Sequence, residues 1–280
     1  MQFEYKKRKG YKMMKHYTIF VMAALLGAGL IACSGQAKEE AEKYREGWTL
    51  VWEDNMEQEG SDATEWSRVP KGKLPRDRYM STNDALYIYQ EGNLVLRGVE
   101  NIGNNGDMPF LTGGISREGI NKNSVQRIEV RARMSPVPGA VSYITLIPTD
   151  APSNVSIDLA KRYGVDEFVY QSITSEYTTT GKMPDNPPSN ALVGVNPNQY
   201  HVYGVEKYPD SLVFFVDGTR AKKYPRILTD IPGQFPFNDL DFNLQIGVQI
   251  NKDALPEELP IDLFIDWVRV YEPATVATPE

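Results

Sequence analysis

Ser156, Asp158 and Lys161 stand in the stretch Ser156-Ile157-Asp158-Leu159-Ala160-Lys161, whose alternation of polar and apolar residues reads as a strand. Residues two apart on a strand share a face, so Ser156 and Asp158 look into the same space. A carboxylate placed this way can attack the anomeric carbon of a sugar or assist that attack. Retaining cleavage, however, takes two carboxyl groups about 5 Å apart, one to attack and one to protonate the leaving oxygen. Neither neighbour supplies the second. A serine hydroxyl needs an activating base, and an ordinary lysine (pKa about 10.4) stays charged and non-nucleophilic.

Asp166 and Glu167 are the alternative acids. If Tyr163-Gly164 closes a two-residue hairpin, Glu167 pairs with Ala160 and shares a face with Asp158. The other reading of the pair is a solvated acidic turn. Ligand-binding candidates among the 16 tyrosines are Tyr143, Tyr170 and Tyr177, since an aromatic face packs on sugar C–H surfaces. Each also suits the core of a β-protein. His201 is one of two histidines and opens a strand, where a structural role is expected; no zinc cluster or serine triad can be assembled around it. Trp48, Trp52, Trp66 and Trp267 read as packing residues.

The elements that must position these groups are strands. Alternating runs recur at Ala85–Tyr89, Asn93–Gly98, Arg127–Met134, Ser142–Pro148, Glu167–Thr174, Tyr200–Lys207, Ser211–Asp217, Asp241–Gln249 and Ile261–Tyr271. Turn signals such as Glu91-Gly92, Pro138-Gly139 and Asp217-Gly218 separate them. Many short strands at this spacing predict an all-β sandwich. One stretch, Thr178 to Asn198, carries Pro184, Pro187, Pro188 and Pro197 and is expected to be an irregular loop, either rimming a cleft or a plain insertion.

The formal net charge is −7, and six of the cations (Lys6, Lys7, Arg8, Lys9, Lys12, Lys15) crowd the first fifteen residues. The remainder is more acidic still, which excludes a nucleic-acid backbone as partner. An apolar run from Ile19 to Ala32 follows the basic stretch, too short for a bilayer span and proportioned like a signal-peptide core. Its ending, Leu30-Ile31-Ala32-Cys33, resembles a bacterial lipobox, in which the cysteine is acylated; a short buried helix with a chance cysteine is the alternative. The expected organisation is a signal peptide at 1–32, with Met14 an alternative start, a lipidated terminus and polar tether at 33–46, the β-domain at 47–272 and a tail at 273–280. The implied location is the bacterial cell envelope, with the membrane reached through the lipid on Cys33 alone.

Several segments resemble one family. Trp48-Thr49-Leu50-Val51-Trp52-Glu53-Asp54 with Trp66 is similar to the entry strand of glycoside hydrolase family 16, the laminarinase and lichenase group. Thr112-Gly113-Gly114-Ile115-Ser116, Arg127–Met134, His201–Glu206 with Phe215-Val216-Asp217-Gly218, and Phe264–Tyr271 resemble later strands of that family in the same order. The resemblance implies a concanavalin A-like jelly roll of two curved antiparallel sheets with a glycan cleft, and hence a polysaccharide or oligosaccharide partner. It also implies where the catalytic residues would fall. The family's Glu-x-Asp-x-x-Glu strand lands on Ser156, Asp158 and Lys161, and its tryptophan platform lands on Val141 and Thr145. Tyr143, between them, becomes the aromatic candidate for the cleft floor. Asp266 matches a position that can contribute to a structural calcium site in the family, the one cofactor the resemblance suggests; a strand-edge hydrogen bond is the alternative.

Three functions follow from this pattern. A carbohydrate-binding envelope lipoprotein without hydrolysis loses the nucleophile and the acid but keeps the cleft. A glycoside hydrolase would rely on Asp158 with Asp166 or Glu167. A structural or interaction lipoprotein would have the cleft closed. Fold does not decide among them, because function lives in the site.

Overall fold

The computed structural model describes residue 43 and residues 45–57, 65–103, 108–150, 154–251 and 258–275. Cys33, the signal segment, most of the tether and the last five residues lie outside that set. By contacts the residues from Leu50 onward form one compact unit, which holds the sandwich. No helix among the described residues is long and apolar enough to cross a membrane.

The strands are β1 (Trp48–Asp54), β2 (Ser67–Arg68), β3 (Tyr87–Gln90), β4 (Asn93–Glu100), β5 (Phe110–Thr112), β6 (Gly114–Ile120), β7 (Gln126–Met134) and β8 (Ala140–Pro148). The second half continues with β9 (Ser156–Tyr163), β10 (Phe168–Thr174), a one-turn helix α1 (Glu176–Thr179), β11 (Asn190–Gly194), β12 (His201–Tyr208), β13 (Ser211–Val216), β14 (Thr219–Pro225), β15 (Phe242–Ile250) and β16 (Ile261–Pro273). Among the described residues these form two antiparallel sheets. One runs β14-β13-β12-β7-β16-β4-β3, with β1 and β5 joined off that path; the other runs β11-β10-β9-β8-β15-β6-β2. Consecutive strands pair at the ends of the sheets, while non-consecutive neighbours such as β12-β7, β7-β16 and β8-β15 join distant parts of the chain, as in a jelly-roll sandwich.

Period-two alternation builds the core. Ile128 and Val130 of β7, Val205 of β12 and Val268 of β16 meet Ile144 and Leu146 of β8, Ile157 and Leu159 of β9, and Ile246 and Val248 of β15 in one buried cluster. Hairpins close where the sequence offers left-handed residues. Glu91-Gly92 (φ 51° and 72°) joins β3 to β4, and Asp217-Gly218 (φ 51° and 74°) joins β13 to β14. Both are positive-φ pairs whose twist suits antiparallel strands.

The stretch expected to be an irregular loop, Thr178 to Asn198, is instead built into the sheet. Ser175 and Thr178 form a reciprocal capping box on α1. The Tyr177 hydroxyl donates to the carbonyl of Asn186 at 2.6 Å. Chain then returns as β11, paired with β10 from Phe168↔Gly194 to Ser172↔Asn190. The prolines sit outside the paired residues, which is why they do not prevent an edge strand.

Candidate functional site

β9 carries a bulge that decides the site. Against β8 the register steps from Ile144↔Ala160 to Thr145↔Asp158, leaving Leu159 without a partner. Against β10 it steps from Tyr170↔Lys161 to Ser172↔Asp158. The extra residue rotates the strand, so Leu159 and Ala160 both enter the core. Asp158 and Lys161, three apart and therefore on opposite faces of a regular strand, come to the same face as Ser156. That face points away from the core and floors a cleft of about 330 Å³.

Within the cleft the Asp158 carboxylate is already engaged. Lys161 Nζ donates to Oδ2 at 3.0 Å, and Ser172 Oγ donates to the same oxygen at 2.7 Å. The Asp158 side chain is 4% exposed and that of Lys161 29%. The lining residues are Leu74, Pro75 and Arg76 on one wall, and Val141, Tyr143, Thr145, Ser156, Asp158, Lys161, Tyr163, Gln249 and Asn251 on the sheet side. Asp158 is the one carboxylate among them. No pair of acids therefore brackets a bond here at the roughly 5 Å of a retaining site or the 6.5–9.5 Å of an inverting one.

Asp166 and Glu167 do not repair this. The expected two-residue hairpin is a four-residue turn, Gly164 to Glu167, between β9 and β10. Asp166 N–H donates to the Tyr163 carbonyl, and the Glu167 carbonyl accepts from Val195 N–H. Lys161, not Ala160, finds its partner on β10, and that partner is Tyr170. Glu167 is exposed and neither acid lines the cleft. The acidic-turn reading is the one the geometry matches.

Tyr143 is corrected as well. It lies on the cleft side of β8 but is 1% exposed, packed with Val69 and Met80 in a small cluster apart from the main core. The segment from Val69 to Met80 folds over it, held by Gly72 N–H to the Asp77 carbonyl (2.9 Å), Asp77 N–H to the Leu74 carbonyl (3.1 Å) and Met80 N–H to the Asp77 carbonyl (3.2 Å). Its phenol is raised well above the usual tyrosine range by burial, and its hydroxyl has no hydrogen-bond partner. Gly247 and Gly114 make room beneath this cover. A Cβ on Gly247 would stand 2.6 Å from the Tyr143 hydroxyl, and one on Gly114 would stand 2.8 Å from Met80 Sδ. The ring thus borders the cleft while being almost wholly covered.

The available rings stand at the other end of the cleft. Tyr163 is 43% exposed and lines it. It meets Tyr170 edge to face at 5.2 Å, and Tyr170 meets Phe168 in the same manner at 5.4 Å. Leu192, exposed on β11, pairs with Tyr170. Burial pushes the Tyr163 phenol up, with Lys161 pulling it back. Of these rings the sequence points to Tyr170, whereas Tyr163 stands in the Tyr163-Gly164 turn signal. Its signal is parity, since it follows Lys161 by two positions.

The remaining candidates are structural in their contacts. Asp266 accepts an ion pair from Arg131, so its carboxylate faces a guanidinium rather than a free cation position, and no cluster of three metal-ligating side chains occurs among the described residues. His201 bridges Asp217 (Nδ1 to Oδ2, 2.7 Å) and the Asn196 carbonyl (Nε2, 3.0 Å), tying the start of β12 to the β13–β14 hairpin. Trp52 and Trp66 pack tilted at 6.1 Å, the Trp66 indole N–H donates to Asp54, and the Arg117 guanidinium covers Trp52. Lys222 of β14 donates to the Gln171 and Ser189 carbonyls, and burial lowers its pKa to about 7, with the Asp158 charge acting the other way.

No family model matches the chain. It is 28% identical over 238 residues to a keratan-sulfate endo-1,4-beta-galactosidase of Sphingobacterium multivorum, an alignment covering 80% of this chain and 55% of that protein. The chain thus spans about half the length of that relative. It is 23% identical to a beta-glucanase of Rhodothermus marinus, covering 93% of this chain and 96% of the relative. Among solved structures, the laminarinase from Rhodothermus marinus superposes with a TM-score of 0.68 at 20% identity, over 81% of this chain and 98% of that one. A non-specific endo-beta-1,3(4)-glucanase from family GH16 gives 0.70 at 19% identity, over 82% and 93%. With two antiparallel sheets in jelly-roll order and these superpositions, the chain has the jelly-roll fold seen in the laminarinase and the family GH16 glucanase structures.

Proposed function

We propose that the chain is a carbohydrate-binding protein that does not hydrolyse its ligand, held at the bacterial envelope by a lipid on Cys33. One observation carries the first part. Asp158, the sole carboxylate lining the cleft among the described residues, is bonded to Lys161 and Ser172, and the family resemblance puts Ser156 at the nucleophile position. A cation bonded to that carboxylate holds it ionised and leaves no carboxylic acid to protonate a leaving oxygen, a role worth roughly 10²–10⁴-fold on its own. The cleft is nevertheless open, and Tyr163 with Tyr170 gives a sugar ring an aromatic surface. The names of the relatives, an endo-galactosidase and a glucanase, support a glycan as the ligand class. Anchoring rests on the lipobox-like Leu30-Ile31-Ala32-Cys33.

The test is a paired assay of the purified chain on laminarin, mixed-linkage glucan, agarose and carrageenan. Saturable binding to at least one polymer with no new reducing ends is the expected result. Robust turnover of any of them would overturn the reading.

A further inference from the structure

The cleft carries the opposite charge to the protein around it. Its lining holds two cations, Arg76 and Lys161, against Asp158 alone. Asp158 and Lys161 neutralise each other, which leaves Arg76. Arg76 Nε is buried and has no hydrogen-bond partner. Arg76 sits in the segment Lys71-Gly72-Lys73-Leu74-Pro75-Arg76-Asp77-Arg78, four cations to one acid, within a chain of net charge −7. Lys71, Lys73 and Arg78 are exposed. The backbone bonds between Gly72, Leu74 and Asp77 fix this basic loop, and its Leu74-Pro75-Arg76 portion forms the cleft wall facing β8 and β9.

A buried guanidinium donor without a partner is costly unless something completes it. Asp77 follows Arg76 in the chain, and its Oδ1 is likewise buried without a partner, so the excess of positive charge over this wall comes from Arg76 together with the exposed Lys71, Lys73 and Arg78. The guanidinium fork matches the paired oxygens of a sulfate ester or a carboxylate. Neutral sugar hydroxyls would satisfy the donor but gain nothing from the surrounding lysines.

We propose that the ligand is an acidic saccharide, a chain bearing sulfate esters or uronate carboxylates, with Arg76 on the acidic group and the Tyr163–Tyr170 surface against a neighbouring ring. This rests on the cleft being a saccharide site. It adds the charge class of the saccharide, which the lone carboxylate did not specify.

Titrating the full chain with oligosaccharides of agarose (neutral), carrageenan (sulfated) and polygalacturonate (carboxylated), at low and at about 0.5 M salt, tests it. The expected result is at least tenfold tighter binding of one acidic series than of agarose, lost at high salt. Preference between the two acidic series identifies sulfate or carboxylate as the recognised group. Arg76→Gln should remove tenfold or more from the acidic series and lower agarose binding much less. Lys223→Gln, the same charge removed from exposed β14, should change neither. If Arg76→Gln misfolds, Lys73→Gln, at an exposed loop position, should still lower acidic binding and its salt dependence. Equal, salt-insensitive binding of all three series would overturn the inference while leaving a saccharide site in place. Binding of none would overturn the saccharide reading and this inference with it.

Discussion

Lys161 Nζ lies 3.0 Å from Asp158 Oδ2, an ion pair between residues three apart on one strand, and only the bulge at Leu159 lets them meet on one face. The Asp158 carboxylate is almost wholly enclosed, so its partner cannot be removed without leaving a poorly solvated charge. Lys161→Met should therefore cost about 1–3 kcal/mol of stability in denaturant titration. Adding Asp158→Asn should return part of that loss, because the orphaned charge disappears. A fully additive pair of effects would mean the two residues are not coupled.

Tyr163→Ala and Tyr170→Ala should each weaken glycan binding by about 1 kcal/mol or more, a stacking contribution. Tyr143→Phe should leave affinity unchanged, since that ring is sealed beneath Met80. Calorimetric titration of the three variants with one ligand separates these outcomes. Sensitivity confined to Tyr143→Phe would mean that the Val69–Met80 cover opens on binding.

The same cover makes Gly247 hard to replace. In Gly247→Ala the new Cβ meets the Tyr143 hydroxyl at 2.6 Å and Met80 Cε at 2.9 Å, an overpacking expected to cost about 1–3 kcal/mol. Tyr143→Phe removes the nearest of those atoms and a buried hydroxyl with no partner. By itself it should be neutral or slightly stabilising, and in combination it should recover part of the Gly247→Ala loss. Thermal unfolding of the four proteins completes the cycle.

Lys207, which is buried, and Lys222, which is half-buried, set an alkaline dependence. Burial lowers Lys222 to about 7 and Lys207 to about 8, against an ordinary value of 10.5. Between those values and 10.5 the unfolded chain binds more protons than the native one, so stability rises with pH across that window. From pH 7 to about 9.5, below the range where tyrosines ionise, the unfolding free energy should increase. Lys222→Met should flatten the lower part of the rise and stabilise the protein at pH 7, and Lys207→Met should flatten the upper part. A slope unchanged by both substitutions would contradict the assignment.

Alternation was enough to read much of this fold, because period two fixes which side of a strand enters the core. Arg127–Met134, Ser211–Asp217 and Ile261–Tyr271 are strands close to where their patterns end. Ser156 and Asp158 share the cleft face for the same reason. Lys161 joined them only through resemblance, since plain parity puts it on the other side and a bulge leaves no mark in hydrophobicity. Tyr143 failed for a different cause. Parity tells which face a side chain takes, but not that residues 69–80, some seventy positions earlier, cover it. Arg76 was missed for that reason too, being a loop residue whose place over β8 and β9 depends on tertiary packing. Glu167 failed through turn length, where two residues were expected and four are present.

The central claim is that this cleft holds a saccharide and leaves it whole. Its most direct test is to incubate the chain in molar excess with a defined oligosaccharide that it binds, then weigh the recovered ligand by mass spectrometry after many hours. The account predicts a single species at the starting mass, from the native chain and from Asp158→Asn alike. Fragments differing by one hydrolysed bond, formed by the native chain and absent with Asp158→Asn, would contradict it.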